Sequence, residues 1–163
     1  MALVHTKGGT KRQRQRAQMI ATWAAYELMH PRMADNIEIN IDLCIPDGAE
    51  AFCTWADDNI KPREFDIEIN KTLEGDDFDT CLLHEMVHVK QYAKGEMDGI
   101  LHKDGFQKWT GGEFRLNPRV TPAKVDNGVI ASKWDYYYLP WEIEAYGLEV
   151  GLTWYFKTKY GIK

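Results

Sequence analysis

Three absences narrow this chain before any motif is considered. Cysteine is scarce: 163 residues include only Cys44, Cys53 and Cys81. They are odd in number and lack C-x-x-C spacing, which excludes a disulfide framework and a cysteine-built zinc knuckle and leaves buried free thiols. No apolar run approaches the roughly 18 residues of a membrane span. A surplus of basic charge is also missing: the formal net charge is -5, which argues against a surface built throughout for nucleic acid. Met1 to Thr10 has no charged start, apolar stretch and small-residue cleavage site of the secretory kind, so residence in the cytoplasm is the expectation.

The chain is 44% hydrophobic, enough at this length to bury a real core, and one compact domain over residues 1–163 is expected. From Lys11 to His30, Ala17, Ile20, Ala21, Ala24 and Leu28 recur at helical spacing, with Thr10 as cap and Pro31 as stop. The basic opening of that helix, Lys11, Arg12, Arg14 and Arg16, is the one segment suited to phosphate or an acidic partner, and is read chiefly as a solvated face. Ile37 to Asn40 and Ile67 to Asn70 share the tetrad Ile-Glu-Ile-Asn, each inside an alternating stretch that predicts a half-buried strand. Ala51 to Trp55 supplies a third strand between them. Turns at Pro46-Asp47-Gly48 and at Asp57-Asp58-Asn59 with Pro62 predict an antiparallel meander that leads into a helix. From Gly95 to Pro140 glycine and proline break the chain into loops with one hairpin. Pro140 then opens a last helix running to about Lys159, glutamates early and lysines late.

The chemistry-bearing pattern is His84-Glu85-Met86-Val87-His88. It stands in a predicted helix from about 77 to 94, with Asp76, Asp77 and Asp79 as N-cap and first-turn acids and Gly95 as C-terminal stop. At four residues' separation two imidazoles project from one face beside the intervening carboxylate, so a single turn offers two zinc ligands and a general base, Glu85. Without a metal, the three polar groups would sit on a mostly apolar helix with hydrogen-bonding needs unmet. A catalytic zinc takes three protein ligands and keeps a position open, so one more ligand is required downstream. Two places compete for it: Glu142 or Glu144 in Trp141-Glu142-Ile143-Glu144-Ala145, and His102 in the loop segment Leu101 to Phe106. His5 and His30 carry no such reading.

With its later run Leu139-Pro140-Trp141-Glu142-Ile143-Glu144-Ala145-Tyr146-Gly147-Leu148-Glu149, the motif resembles the small SprT-like or minimal zincin metallopeptidases, notably those encoded by bacteriophages. The likeness covers roughly residues 77 to 152. It implies an α+β zincin-like domain, with a short antiparallel sheet packed on the histidine helix and helices at both ends. It also implies a zinc-dependent peptidase acting on protein or peptide, in the host cytoplasm if phage-encoded. In glutamate-zincins the third ligand is often the Glu of a Glu-Ala pair, which maps onto Glu144 and Ala145. The third histidine of SprT-like proteins maps onto His102 with Phe106, although Lys103 stands where those proteins carry Gly. Glu144 is the expected ligand, because Glu142 falls in the first turn, where a glutamate serves the helix dipole.

On this reading His84, His88 and Glu144 hold zinc, Glu85 takes a proton from the attacking water, and a phenol of the run Tyr136-Tyr137-Tyr138, with Tyr138 nearest the ligand helix, supports the oxyanion. The strand around Phe65 to Asn70, or its neighbour, is the expected docking edge for an extended substrate. Two alternatives stand beside it: a zinc-stabilised protein-binding module without turnover, and a DNA-associated SprT-like protease resting on Lys11 to Arg16. Trp134, Trp141 and Trp154 also allow a carbohydrate or cell-wall groove, where cleavage of peptide cross-links would be the same amide hydrolysis.

Overall fold

A computed structural model describes residues 1–97, 106–107, 109, 123–126, 129–130, 137 and 139–162. The arrangement is mixed α+β: β1 (Leu3–Gly8), α1 (Lys11–Leu28), α2 (Pro31–Ala34), β2 (Glu38–Cys44), β3 (Ala51–Trp55), β4 (Glu64–Asn70), α3 (Gly75–Lys94), β5 (Phe106–Gln107), β6 (Ala123–Asp126), β7 (Val129–Ile130) and α4 (Pro140–Tyr160). The first four strands form one sheet in the order β1-β2-β4-β3. The short strands β5, β6 and β7 pair antiparallel in sequence order.

The central strands alternate as their sequences require. Ile39, Ile41 and Leu43 of β2 and Phe65, Ile67 and Ile69 of β4 are buried and lie opposite one another in register. Glu38, Asn40 and Asp42 with Glu64, Asp66 and Glu68 take the other face. Each of these apolar side chains contributes about 1.5–3 kcal/mol relative to an exposed position. The helices α1 and α3 cover the apolar face, and α4 packs on α3. The middle helix is consequently buried almost all round from Phe78 to Ala93, as a helix enclosed on several sides must be.

The expected antiparallel meander is corrected. β2 runs parallel to both β1 and β4, and only β3 is antiparallel, to β4. Two features account for the change. Leu3–Gly8, Leu-Val-His-Thr-Lys-Gly with Val4 its one buried side chain, shows no apolar–polar alternation of residue types and is a strand that sequence patterning does not register, and α1 serves as its crossover to β2. The segment Ala51–Trp55 pairs outside β4 instead of between the two tetrad strands, which makes β3 an edge and β4 an internal strand. Phe65 to Asn70, expected as a possible sheet edge, is therefore an internal strand, and its neighbour β3 stands at the edge of this sheet.

Helix boundaries follow capping chemistry. Thr10 and Gln13 form a reciprocal capping box, with Gln13 N–H donating to Thr10 Oγ1 at 3.2 Å and Thr10 N–H donating to Gln13 Oε1 at 2.9 Å. Pro31 does not merely stop α1; it occupies the first turn of α2. At the end of α3, Gly95 adopts φ 74° and donates to the carbonyls of Gln91 and Tyr92, a left-handed closure that glycine takes without strain.

Two of the basic residues of α1 are engaged within the fold. Arg14 donates to the carbonyls of Gly8 and Gly9 at 2.7 and 2.9 Å. Arg16 grips Asp79 of α3 through two parallel hydrogen bonds, Nε to Oδ1 at 2.9 Å and Nη2 to Oδ2, and stacks 4.8 Å over the ring of Phe156 of α4. One guanidinium thus ties three helices together, and Asp79 belongs to this buried pair, where the sequence suggested a capping acid. Lys11 and Arg12 remain exposed. Among the described residues no helix is long and apolar enough to cross a membrane.

Removing Arg16 would strand the buried Asp79 carboxylate, whose side chain is 3% exposed. The Arg16→Met variant is expected to lose about 3 kcal/mol, since unpairing a buried charge is costly even where one partner reaches solvent. Urea unfolding should show a lower midpoint at unchanged slope.

Candidate metal centre

The two motif histidines stand one turn apart on α3, with ring centroids 4.9 Å apart and planes nearly perpendicular. Their Nε2 atoms face each other at 3.2 Å. Across from them α4 presents Glu142, with Oε2 at 3.2 Å from His84 Nε2 and Oε1 at 3.5 Å from His88 Nε2. All three side chains are buried, and they form a group able to hold a metal ion. Two ligand atoms, each about 2.05 Å from a tetrahedral zinc, stand about 3.3 Å apart. The observed contacts lie near that value, with Glu142 meeting each ring through a different carboxylate oxygen.

Hydrogen bonding on the far side of each ring fixes what the near side offers. Gln91 Nε2 donates to the carbonyl of Trp141 at 2.9 Å and to Glu144 Oε2 at 2.8 Å. Both partners only accept, so Gln91 Oε1 is the atom left facing His88 Nδ1 at 2.8 Å, and that nitrogen must carry the proton. His84 Nδ1 likewise meets the carboxylate of Glu149 at 2.8 Å. With both Nδ1 atoms protonated, neutral rings turn two bare Nε2 lone pairs toward a carboxylate. Three acceptors then converge with no donor among them, and only a cation, whether a metal or a proton, satisfies such a set.

Ionisation behaviour expresses the same demand. Burial alone would lower His84, but its hydrogen bonds to the Glu142 and Glu149 carboxylates outweigh it and raise the ring's pKa to about 9. His88 is raised as well, burial again being outweighed by Glu142 and by the charge of Glu85. Burial would raise Glu142, yet the two histidines bring it down to about 2.

Glu144, the ligand expected from sequence, lies elsewhere and is corrected. Its carboxylate accepts from Lys90 Nζ at 2.5 Å and from Gln91, and the same ammonium reaches Glu96 at 2.6 Å. The first-turn argument against Glu142 fails because α4 crosses α3 at that turn, so the residue faces the histidines rather than solvent. Two residues later the helix has rotated Glu144 toward Lys90 and Gln91, and it acts on His88 through Gln91. His102, Tyr136 and Tyr138 lie outside the described residues.

Two residues that sequence reasoning did not assign roles complete the site. Glu149 follows Glu142 by seven positions, two turns along the same face of α4, a spacing visible in the sequence. Gln91 follows His88 by three, also a same-face spacing. Glu85 is 7% exposed, with no hydrogen-bond partner among the described residues, and burial raises its pKa against the opposing pull of His88 and His84. It opens into a cavity of about 1250 Å³ between β3 and the helices α3 and α4. On the opposite wall the Tyr146 ring lies 4.6 Å from that of His84 and is itself 5.3 Å from Tyr137. Burial holds the Tyr146 phenol well above its ordinary pKa, so it is a neutral donor at pH 7.

Comparison of the chain with family models, with curated proteins and with solved structures gives no match.

Two outcomes follow for the site itself. In the metal-free protein, His84 is raised from 6.5 to about 9, so its contribution to stability is complete below 6.5 and lost as pH rises through 9. Melting temperature in a chelator should fall over that interval, whereas with excess zinc it should rise, because protons cease to compete for the ligands. Gln91→Leu removes the acceptor that sets the His88 tautomer and should weaken zinc binding about 10- to 100-fold, measured by competition with a chromophoric chelator.

Proposed function

We propose that this chain is a zinc-dependent peptidase of the zincin type, with His84, His88 and Glu142 as metal ligands and Glu85 as general base. The observation that carries the reading is the convergence of His84, His88 and Glu142, buried and with their ligand atoms close enough to share one metal ion, beside the buried Glu85 carboxylate, which makes no hydrogen bond among the described residues. Two nitrogens and an oxygen are a donor set suited to zinc. Zinc, when bound there, supplies Lewis acidity toward a water and a carbonyl oxygen.

The chain's own groups do the rest. Glu85, with its pKa raised by burial, takes a proton from the attacking water at its carboxylate and returns it to the leaving amine. Gln91 and Glu149 hold the two rings with Nε2 inward. Tyr146, a described phenol whose ring stands 4.6 Å from that of His84, is a donor to a developing oxyanion on the cavity side, a role the sequence assigned to Tyr138, which lies outside the described residues. An extended peptide adds to β3, whose outer edge is unpaired among the described residues and whose residues Ala51 to Cys53 line the cavity. The resemblance to SprT-like and minimal zincin peptidases agrees with this arrangement. The unpaired Glu85 favours turnover over a zinc-stabilised binding module, since a structural metal needs no base. With Arg14 and Arg16 engaged internally, the DNA-associated alternative rests on Lys11 and Arg12 alone.

Elemental analysis of the purified protein should find about one zinc per chain, lost in Glu142→Ala and retained in Glu144→Gln. Glu85→Gln should keep the metal and lose about 100-fold or more of peptide turnover. Zinc retained in Glu142→Ala, or full turnover by Glu85→Gln, would overturn the assignment.

A further inference from the structure

The cavity has two chemically different ends, and the strand register orders them. β3 runs from Ala51, opposite Ile69, to Trp55, opposite Phe65, and the Trp55 ring lies 5.0 Å from that of Tyr92 near the end of α3. The start of β3 and the turn before it therefore lie beside the opening turns of α3. Along α3 the positions Asp77, Cys81, His84 and His88 recur at helical spacing and all line the cavity. Tyr92, Met97 and Trp141 line the far end, whereas Glu50, Leu73, Asp77 and Cys81 are among the lining at the near end. The Cys81 thiol, raised by burial, is pushed further to about 12 by the charges of Glu85, Glu50 and Glu149.

Neighbouring carboxylates on α3 have cationic partners: Asp76 pairs with Lys157 at 2.5 Å and Asp79 with Arg16. Glu50 and Asp77 have none among the described residues, and neither lysine nor arginine is among the described lining of the cavity. A divalent ion is offset by Glu142 and Glu85 together, so the charge at this end stays negative with metal bound. Glu85, the base of the reading above, is 7% exposed, makes no hydrogen bond within the described structure and opens into the same space, so a ligand that enters this cleft meets it as well as the two carboxylates.

From these features we infer that the cleft selects peptides carrying lysine or arginine, with Glu50 and Asp77 reading the positive charge, a conclusion that rests on the peptidase reading above. The aliphatic stem of such a side chain lies over Leu73 and Cys81 while its head reaches the two carboxylates. A peptide added antiparallel to β3 would run from the Tyr92 end toward Glu50, which puts the basic residue after the cleaved bond. Both carboxylates are exposed, so the preference is moderate and salt-sensitive.

The test uses full-length, zinc-loaded Glu85→Gln protein and fluorescein-labelled peptide pools randomised over Ala, Gly, Ser, Leu and Tyr, with a central lysine, glutamine or glutamate. The lysine pool is expected to bind about tenfold more tightly than the glutamine pool, the gap narrowing as salt is raised. Adding Glu50→Gln and Asp77→Asn should abolish the gap while zinc content and melting temperature hold, and adding Asp77→Lys should turn the preference to the glutamate pool. Equal affinity for the lysine and glutamine pools, or a lysine preference that survives in the neutralised protein, would overturn the inference. If wild-type protein cleaves both pools equally, the charge reading alone is lost. If it cleaves neither and the Glu85→Gln protein binds neither, the peptidase reading is lost with it.

Discussion

Three acceptor atoms meeting in a buried space, with no donor of their own, are the constraint around which the rest of this structure is organised. Bringing two imidazole nitrogens and a carboxylate within 3.5 Å of one another is unfavourable unless a positive charge stands between them. The elevated His84 and the depressed Glu142 express that requirement in the metal-free protein. A proton meets it in part, whereas a divalent ion satisfies all three atoms at once.

Holding such a set in place takes more than the ligands. His84 is oriented by Glu149, and His88 by Gln91, which is in turn oriented by the Trp141 carbonyl and Glu144. Glu144 is kept by Lys90, which Glu96 shares. Every one of these groups belongs to α3, to α4 or to the residues just past the end of α3, so the site is a property of the interface between two helices. Arg16 secures that interface from the opposite side, pairing with Asp79 of α3 while lying over Phe156 of α4. Fold stability and site geometry are coupled through the crossing of the same two helices.

The sheet supplies the other wall. Because β3 pairs only with β4 among the described residues, its free edge borders the cavity, and its direction fixes which end of the cleft is acidic and which apolar. A meander with Phe65 to Asn70 outermost would have placed a different strand, with different side chains, beside the histidines.

Much of the site was legible in the sequence. Two histidines four apart share a helical face whatever surrounds them, a glutamate directly after the first accompanies them, and capping residues and alternating isoleucines delimit the elements, because these are local consequences of helical and strand periodicity. Glu142 in preference to Glu144 was not legible: both lie in the opening turns of one helix, and which faces α3 depends on where two helices cross and at what rotation. Nor was the parallel pairing of β2 and β4, since alternation records which face is buried and is silent on the neighbour and its direction. Local periodicity thus determined the pairing of the two histidines, the glutamate beside them and most of the elements, whereas the carboxylate that meets the histidines, the contacts that brace the rings and the strand at the cavity were decided by long-range packing, which joins residues fifty or more positions apart and is not specified by the sequence near either partner alone.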